Sequence, residues 1–263
     1  MRLTCPRLLL ASLLFASSTH AAPELTVDPI TDTSLLAASA GFIFLSEAVL
    51  RAEEIDPQRP RPRVGVLRID AWLARGDYQR DFVEQEDLAW ISWASAAGLG
   101  AWALADTLLL RDRAVEGGTD LVLYAESLTF SLAIAQLAKA GFRRPRPYTY
   151  LEGAPVHTDA DSGLSFFSGH TAAASALAAT ATYFAFTRHD DPRLQAGVLA
   201  GGIVFAGTTG ALRLLGRKHF LTDVLAGALV GGAVGLLVPH LHRTDGEATT
   251  TSQPAMLRLG GGF

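Results

Sequence analysis

A histidine and an aspartate four residues apart, His219 and Asp223, stand in the stretch Leu212 to Asp223, which sets a cluster of charge between two apolar segments. On a helix that spacing puts both side chains on one face. An imidazole oriented by a carboxylate can act as nucleophile or general base. Arg213 comes six residues before the histidine, placed to hold the anion that such a nucleophile attacks. This reading demands further anion ligands elsewhere in the chain.

Two other patches supply them. Lys139 is followed by Arg143, Arg144 and Arg146-Pro147 at the end of an apolar run; lysine offers a point charge and arginine a bidentate fork, a pairing that suits phosphate oxygens. Ser168-Gly169-His170 directly precedes another apolar run. There a hydroxyl, a glycine backbone and an imidazole meet at a helix N-terminus, where the dipole favours an anion. Taken singly, each patch also has an ordinary reading. The first reads as basic residues anchoring a helix end at a membrane surface, the second as a plain cap with Ser168 at the N-cap, and the third as a juxtamembrane basic cluster with a capping aspartate. Arg143, Arg144, Arg217 and Lys218 could draw in an anionic head group, and the simpler reading leaves them solvated or against lipid. His157, Asp159 and Asp161 read as a solvated loop that could shape an entrance. Glu126 and Asp106 interrupt apolar runs, where charge is costly and is expected to be paired.

The order Lys139, Arg146-Pro147, Ser168-Gly169-His170, Arg213, His219, Asp223 resembles the three-part signature of the type 2 phosphatidic acid phosphatase and vanadium haloperoxidase superfamily. That signature is a lysine, six residues, Arg-Pro; then Pro-Ser-Gly-His; then Ser-Arg, five residues, His, three residues, Asp. Phe167 stands where its proline is usual and Leu212 where its serine is usual, which puts loop shape and secondary phosphate contacts in question. The resemblance covers about Asp120 to Val238. It implies that His219 attacks phosphorus to form a phosphohistidine, that Asp223 fixes its tautomer, and that His170 protonates the leaving group and then activates water. Lys139, Arg146, Arg213, the Ser168 hydroxyl and the Gly169 N–H would hold the phosphate oxygens. No metal or other cofactor is expected.

The elements that must position these residues follow from composition. Apolar residues make up 49% of the 263 and charged ones 18%, above the usual soluble balance. The net charge of -4 gives no basic field, which excludes a nucleic-acid partner. Residues 1–22 read as an export signal, with Arg2 and Arg7, an apolar core from Leu8 to Phe15, and small residues up to Ala21 and Ala22. The only cysteine, Cys5, lies inside it, so disulfides and a thiol nucleophile are excluded from the rest.

No strand alternation persists and no repeat recurs, so the expected fold is all-α, a helical bundle embedded in a membrane with five or six apolar helices. The runs are Thr33 to Leu50, Leu88 to Leu110, Asp120 to Ala138, Thr171 to Thr187, Leu194 to Leu212 and Val224 to Val238, with a short helix around Ile69 to Leu73. Residues 23–243 form one domain and 244–263 a disordered tail. With the signal cleaved, six spans would put the site in the cytoplasm. Treating Thr33 to Leu50 as non-spanning leaves five, faces the site to the exported, periplasmic side, and keeps Arg111 to Arg113, Arg188 to Arg193 and His240 to Arg243 inside. The expected activity is hydrolysis of a phosphate monoester or diphosphate, lipid-linked, with a phosphorylated lipid and the membrane as partners. The alternatives are a soluble exported acid phosphatase of the same superfamily, in the periplasm, and a vanadium-dependent haloperoxidase.

Overall fold

The computed structural model describes residues 24–52, 66–83, 86–109, 114–156 and 159–244. The expected signal and nearly all of the expected tail lie outside them, as do His157 and the side chain of Asp106. The fold is all-α, as expected. The helices are α1 (Pro29–Ala52), α2 (Tyr78–Asp81), α3 (Glu86–Leu109), α4 (Ala114–Phe142), α5 (Gly169–Arg188), α6 (Pro192–Leu215) and α7 (Leu221–Leu241). A two-residue antiparallel pair, β1 (Glu24–Leu25) with β2 (Arg243–Thr244), ties the start of α1 to the end of α7. The expected short helix around Ile69 to Leu73 is instead a run of turns closed by Leu73 N–H donating to the Asp70 carbonyl.

The chain's hydropathy explains the architecture only in part. Among the described residues, four stretches are long and apolar enough to cross a membrane: Pro29–Leu50, Gly117–Tyr150, Pro192–Leu215 and Leu221–Leu241. Two of the five expected spans, in α3 and α5, are not among them, and Thr33 to Leu50, expected not to span, is. For α5 the reason is packing. It runs through the centre of the bundle against α3, α4, α6 and α7, and its alanines from Ala172 to Ala178 are buried, so they serve close helix contact more than lipid exposure. Phe44 on α1, Ile203 and Val204 on α6 and Leu229 on α7 face outward, the pattern of an apolar belt.

The closest contact is between α5 and α7. A Cβ placed on Gly231 would overlap the Ala172 carbonyl oxygen, and one on Gly235 would overlap that of Ala176. Only glycine allows the two backbones to approach this far. The contact presses the N-terminus of α7 against that of α5, where the Ser168 N–H donates to the Asp223 carbonyl at 3.1 Å. At this same end α4 and α6 finish. All three charged patches therefore lie at one end of the bundle, and β1, β2 and the Arg188–Asp120 ion pair (2.5 Å) lie at the other.

Candidate active site

Each patch arrives at a helix end. Lys139 is in the last turn of α4, and Arg143 turns the chain away with a left-handed φ of 43°. The segment then delivers Arg144 and Arg146 inward. Arg146 is 3% exposed. Its Nε and Nη2 donate to the Asp161 carbonyl (2.7 Å) and carboxylate (2.6 Å), while Nη1 donates to the Lys218 carbonyl (2.7 Å) and points at His219 Nε2 (3.3 Å). Ser168 is the N-cap of α5, its hydroxyl oxygen accepting from Thr171 N–H and the Thr171 hydroxyl. Gly169 and His170 form the first turn. Arg213 is in the last turn of α6, 6% exposed, with Nη1 3.4 Å from the Ser92 hydroxyl of α3.

His219 sits in the tight connection between α6 and α7, its own N–H donating back to the Arg213 carbonyl. It is almost wholly buried. Its Nδ1 lies 2.7 Å from the Ser165 carbonyl oxygen. A carbonyl can only accept, so Nδ1 carries the proton and Nε2 presents its lone pair beside Arg146. Burial first, and then Arg146, Arg213, Lys139 and His170, hold its pKa well below the usual histidine value. His170, outside the four apolar stretches, is pushed down to about 3 by burial, then by Arg213, Lys139 and Arg146. The same cations act on both imidazoles, so the three patches are electrostatic neighbours.

Asp223 departs from its expected role. Its Oδ2 is 3.8 Å from His219 Nδ1, too long for a hydrogen bond. That oxygen accepts instead from the Ser165 hydroxyl (2.5 Å) and the Phe220 N–H (2.8 Å). Asp223 thus holds the two segments that hold His219, and the tautomer is fixed by the Ser165 carbonyl. A Cβ on Gly169 would meet protein atoms only at an ordinary 3.6 Å, so packing within the protein does not require glycine there.

Three residues that carry this arrangement have no motif to announce them. Arg144, expected to be solvated or lipid-bound, is a partly buried bridge, its side chain 20% exposed. Its guanidinium donates to Asp223 (2.5 Å), Thr222 (2.7 Å) and Asp70 (2.8 Å), and lies 4.2 Å above the Phe220 ring. Asp70, fully buried, accepts from the Thr222 N–H and hydroxyl at the start of α7. Asp161 lies in an exposed loop as expected, its side chain 59% exposed, and pairs with Arg146, while Asp159 caps the following 3₁₀ turn through the Ser162 N–H. The two helix N-termini at the pocket therefore differ. That of α7 is capped by carboxylates, and that of α5 by a neutral hydroxyl, which leaves the positive end of the α5 dipole for an external anion.

Two imidazoles, three cations and one helix N-terminus thus gather at one end of the bundle, an arrangement whose chemistry could suit an oxyanion. The family model described as the PAP2 superfamily matches residues 120–247, the segment that contributes every candidate site residue. Over that segment the chain is of the PAP2 superfamily type, a family that is generally of phosphatase-like hydrolases. Neither the curated proteins nor the solved structures return a match.

Proposed function

We propose that the protein is a membrane-embedded phosphatase that hydrolyses a lipid-linked phosphate monoester or diphosphate through a phosphohistidine at His219. The observation that carries this reading is the protonated Nδ1 on the Ser165 carbonyl, which leaves Nε2 as a buried, oriented lone pair beside Arg146. In the first step Nε2 bonds to phosphorus in line, the P–O bond to the leaving group breaks, and His170 gives the departing oxygen a proton. In the second step His170 takes a proton from water, the water oxygen bonds to phosphorus, and the P–N bond breaks to release phosphate. Lys139, Arg146, Arg213, the Ser168 hydroxyl and the Gly169 N–H hold the equatorial oxygens, where charge spreads in the transition state. Negative charge brought by the substrate raises the proton affinity of His170, which readies it as an acid only in the complex. These fixed cations supply the neutralisation that a catalytic metal otherwise provides.

The lipid-linked substrate is supported by the outward apolar residues of α1, α6 and α7, which a soluble exported phosphatase would leave in water. The exported-facing site rests on the cationic loops at the other end, with Arg188, Arg193 and Arg243. Because Glu24 is paired with Thr244 at that other end, and α1 is long enough to cross, this orientation requires Glu24 to stay on the cytoplasmic face. A signal cleaved near Ala21 or Ala22 would reverse it. Phosphate release from a panel of lipid and soluble monoesters and diphosphates, without added metal, tests the function. Turnover of lipid esters that is lost in His219→Ala supports it, and no release from any member of the panel overturns it.

A further inference from the structure

Away from the anion pocket, where α1 begins, α4 passes its middle and α7 has just ended, three ligating side chains converge. Asp32, Glu126 and His242 each offer one atom, and the three atoms lie within 4.8 Å of one another. His242 Nε2 is 3.4 Å from Asp32 Oδ1 and 3.5 Å from Glu126 Oε2. Glu126 is fully buried with neither carboxylate oxygen accepting a hydrogen bond, and the same holds for Oδ2 of the buried Asp32. Buried carboxylate oxygens without donors are costly, most of all along apolar helices.

The imidazole shows what is needed. His242 Nδ1 lies 2.8 Å from the Val238 carbonyl oxygen, so Nδ1 carries a proton and Nε2 faces two carboxylates. A lone pair aimed at two anions is repulsive unless a positive species lies between them. A second proton on Nε2 would make only one long hydrogen bond, to Asp32 at 3.4 Å, where charge-assisted bonds run at about 2.7–2.9 Å. A zinc-like ion at about 2.0–2.2 Å from each ligand in a tetrahedral arrangement sets its ligand atoms about 3.3–3.5 Å apart, the spacing that His242 keeps with both acids. The Nδ1–H to carbonyl bond is also the usual outer support of a metal-bound histidine. Two carboxylates, a neutral imidazole and a divalent cation sum to zero charge.

We propose that Asp32, Glu126 and His242 bind one divalent transition-metal cation, of the zinc class, that clasps α1, α4 and α7 together at the end of the bundle opposite the anion pocket. The imidazole argues against calcium or magnesium, which prefer all-oxygen shells. The site shares no residue with the phosphatase pocket, so it stands or falls independently of that reading.

The test uses the full chain in detergent with Cys5→Ser to remove the thiol, stripped with a chelator and given Zn²⁺ alone, with bound metal measured by equilibrium dialysis and elemental analysis. One zinc per chain is expected, with a higher melting temperature as zinc is added and at least about tenfold weaker binding in Glu126→Gln and Asp32→Asn. Co²⁺ in place of zinc should give the intense visible bands of a low-coordinate site, a readout on the unmutated ligand set should the variants fail to fold. No stoichiometric zinc, unchanged affinity in both folded variants, or calcium bound as tightly as zinc would each overturn the proposal.

Discussion

The Nδ1–H of His219 donates to the main-chain carbonyl of Ser165 at 2.7 Å, while the Ser165 side-chain hydroxyl donates to Asp223 at 2.5 Å. One serine therefore sets the tautomer of the histidine with its backbone and is itself held by the carboxylate that the spacing of His219 and Asp223 seemed to pair directly. Position is relayed from Asp223 and Arg144 through Ser165 to the imidazole of His219.

Arg144 makes that relay testable. It is the only one of the relay's side chains that bridges Asp70 and Asp223, two fully buried carboxylates. Arg144→Ala should cost about 3 kcal/mol or more by leaving both unpaired, measured as a lowered melting temperature, and Arg144→Lys should recover only part of it because an ammonium cannot fork to both acids. Full stability in Arg144→Ala would mean that the relay is ornamental.

The imidazoles set a pH dependence with a definite sign. His219 is held well below its usual pKa by burial and by the surrounding cations. The unfolded chain therefore takes up a proton below pH 6.5 that the folded chain refuses. Stability is full above that value and falls as pH drops, by at most about 1.4 kcal/mol per pH unit for this group. Melting temperature between pH 7 and 5 should decline in the ligand-free protein, and the slope should flatten in His219→Gln. Equal slopes in the two proteins would show that His219 titrates normally.

Gly231 probes the scaffold. A methyl group there has no room against the Ala172 carbonyl, and overpacking a tight contact typically costs about 1–3 kcal/mol. Gly231→Ala should lower both stability and phosphate release, since the α5–α7 contact sets the distance between Ser168 and Asp223. Gly232 meets nothing within 4 Å, so Gly232→Ala should be silent. Equal effects at the two positions would contradict the packing account.

The two ends of the bundle should lie on opposite sides of the membrane. In a Cys5→Ser background, cysteines placed at the exposed Glu152 near the pocket and at the exposed Thr244 in β2 should react with an impermeant thiol reagent from opposite faces of intact cells or vesicles. Labelling of both from one side would contradict the spanning arrangement and favour a soluble bundle.

Much of this was legible in the chain. Apolar runs bounded by charge located α1 and α3 to α7 to within a few residues, because helix ends follow caps and charges such as Ser168 and Asp191, each of which accepts a bond from the first turn. The charged patches that meet at one end of the bundle were legible too, since Lys139, His170, Arg213 and His219 keep fixed spacings. What spacing does not encode is the supporting layer. Asp70 stands in a turn with no motif around it, and Arg144 looks like any of its basic neighbours until α7 brings Asp223 and Thr222 to it. Hydropathy likewise misread α5, whose alanines face other helices, and α1, whose length and apolar face suit a span.

The central claim is that His219 Nε2 forms a bond to phosphorus. Rapid acid-free quenching of the enzyme with a ³²P-labelled lipid phosphate, followed by peptide mapping, measures it directly. The account predicts an acid-labile, alkali-stable phosphate on His219 that accumulates when His170 is replaced by a residue unable to activate water. Turnover with label on no histidine, or on His170 in place of His219, would contradict it.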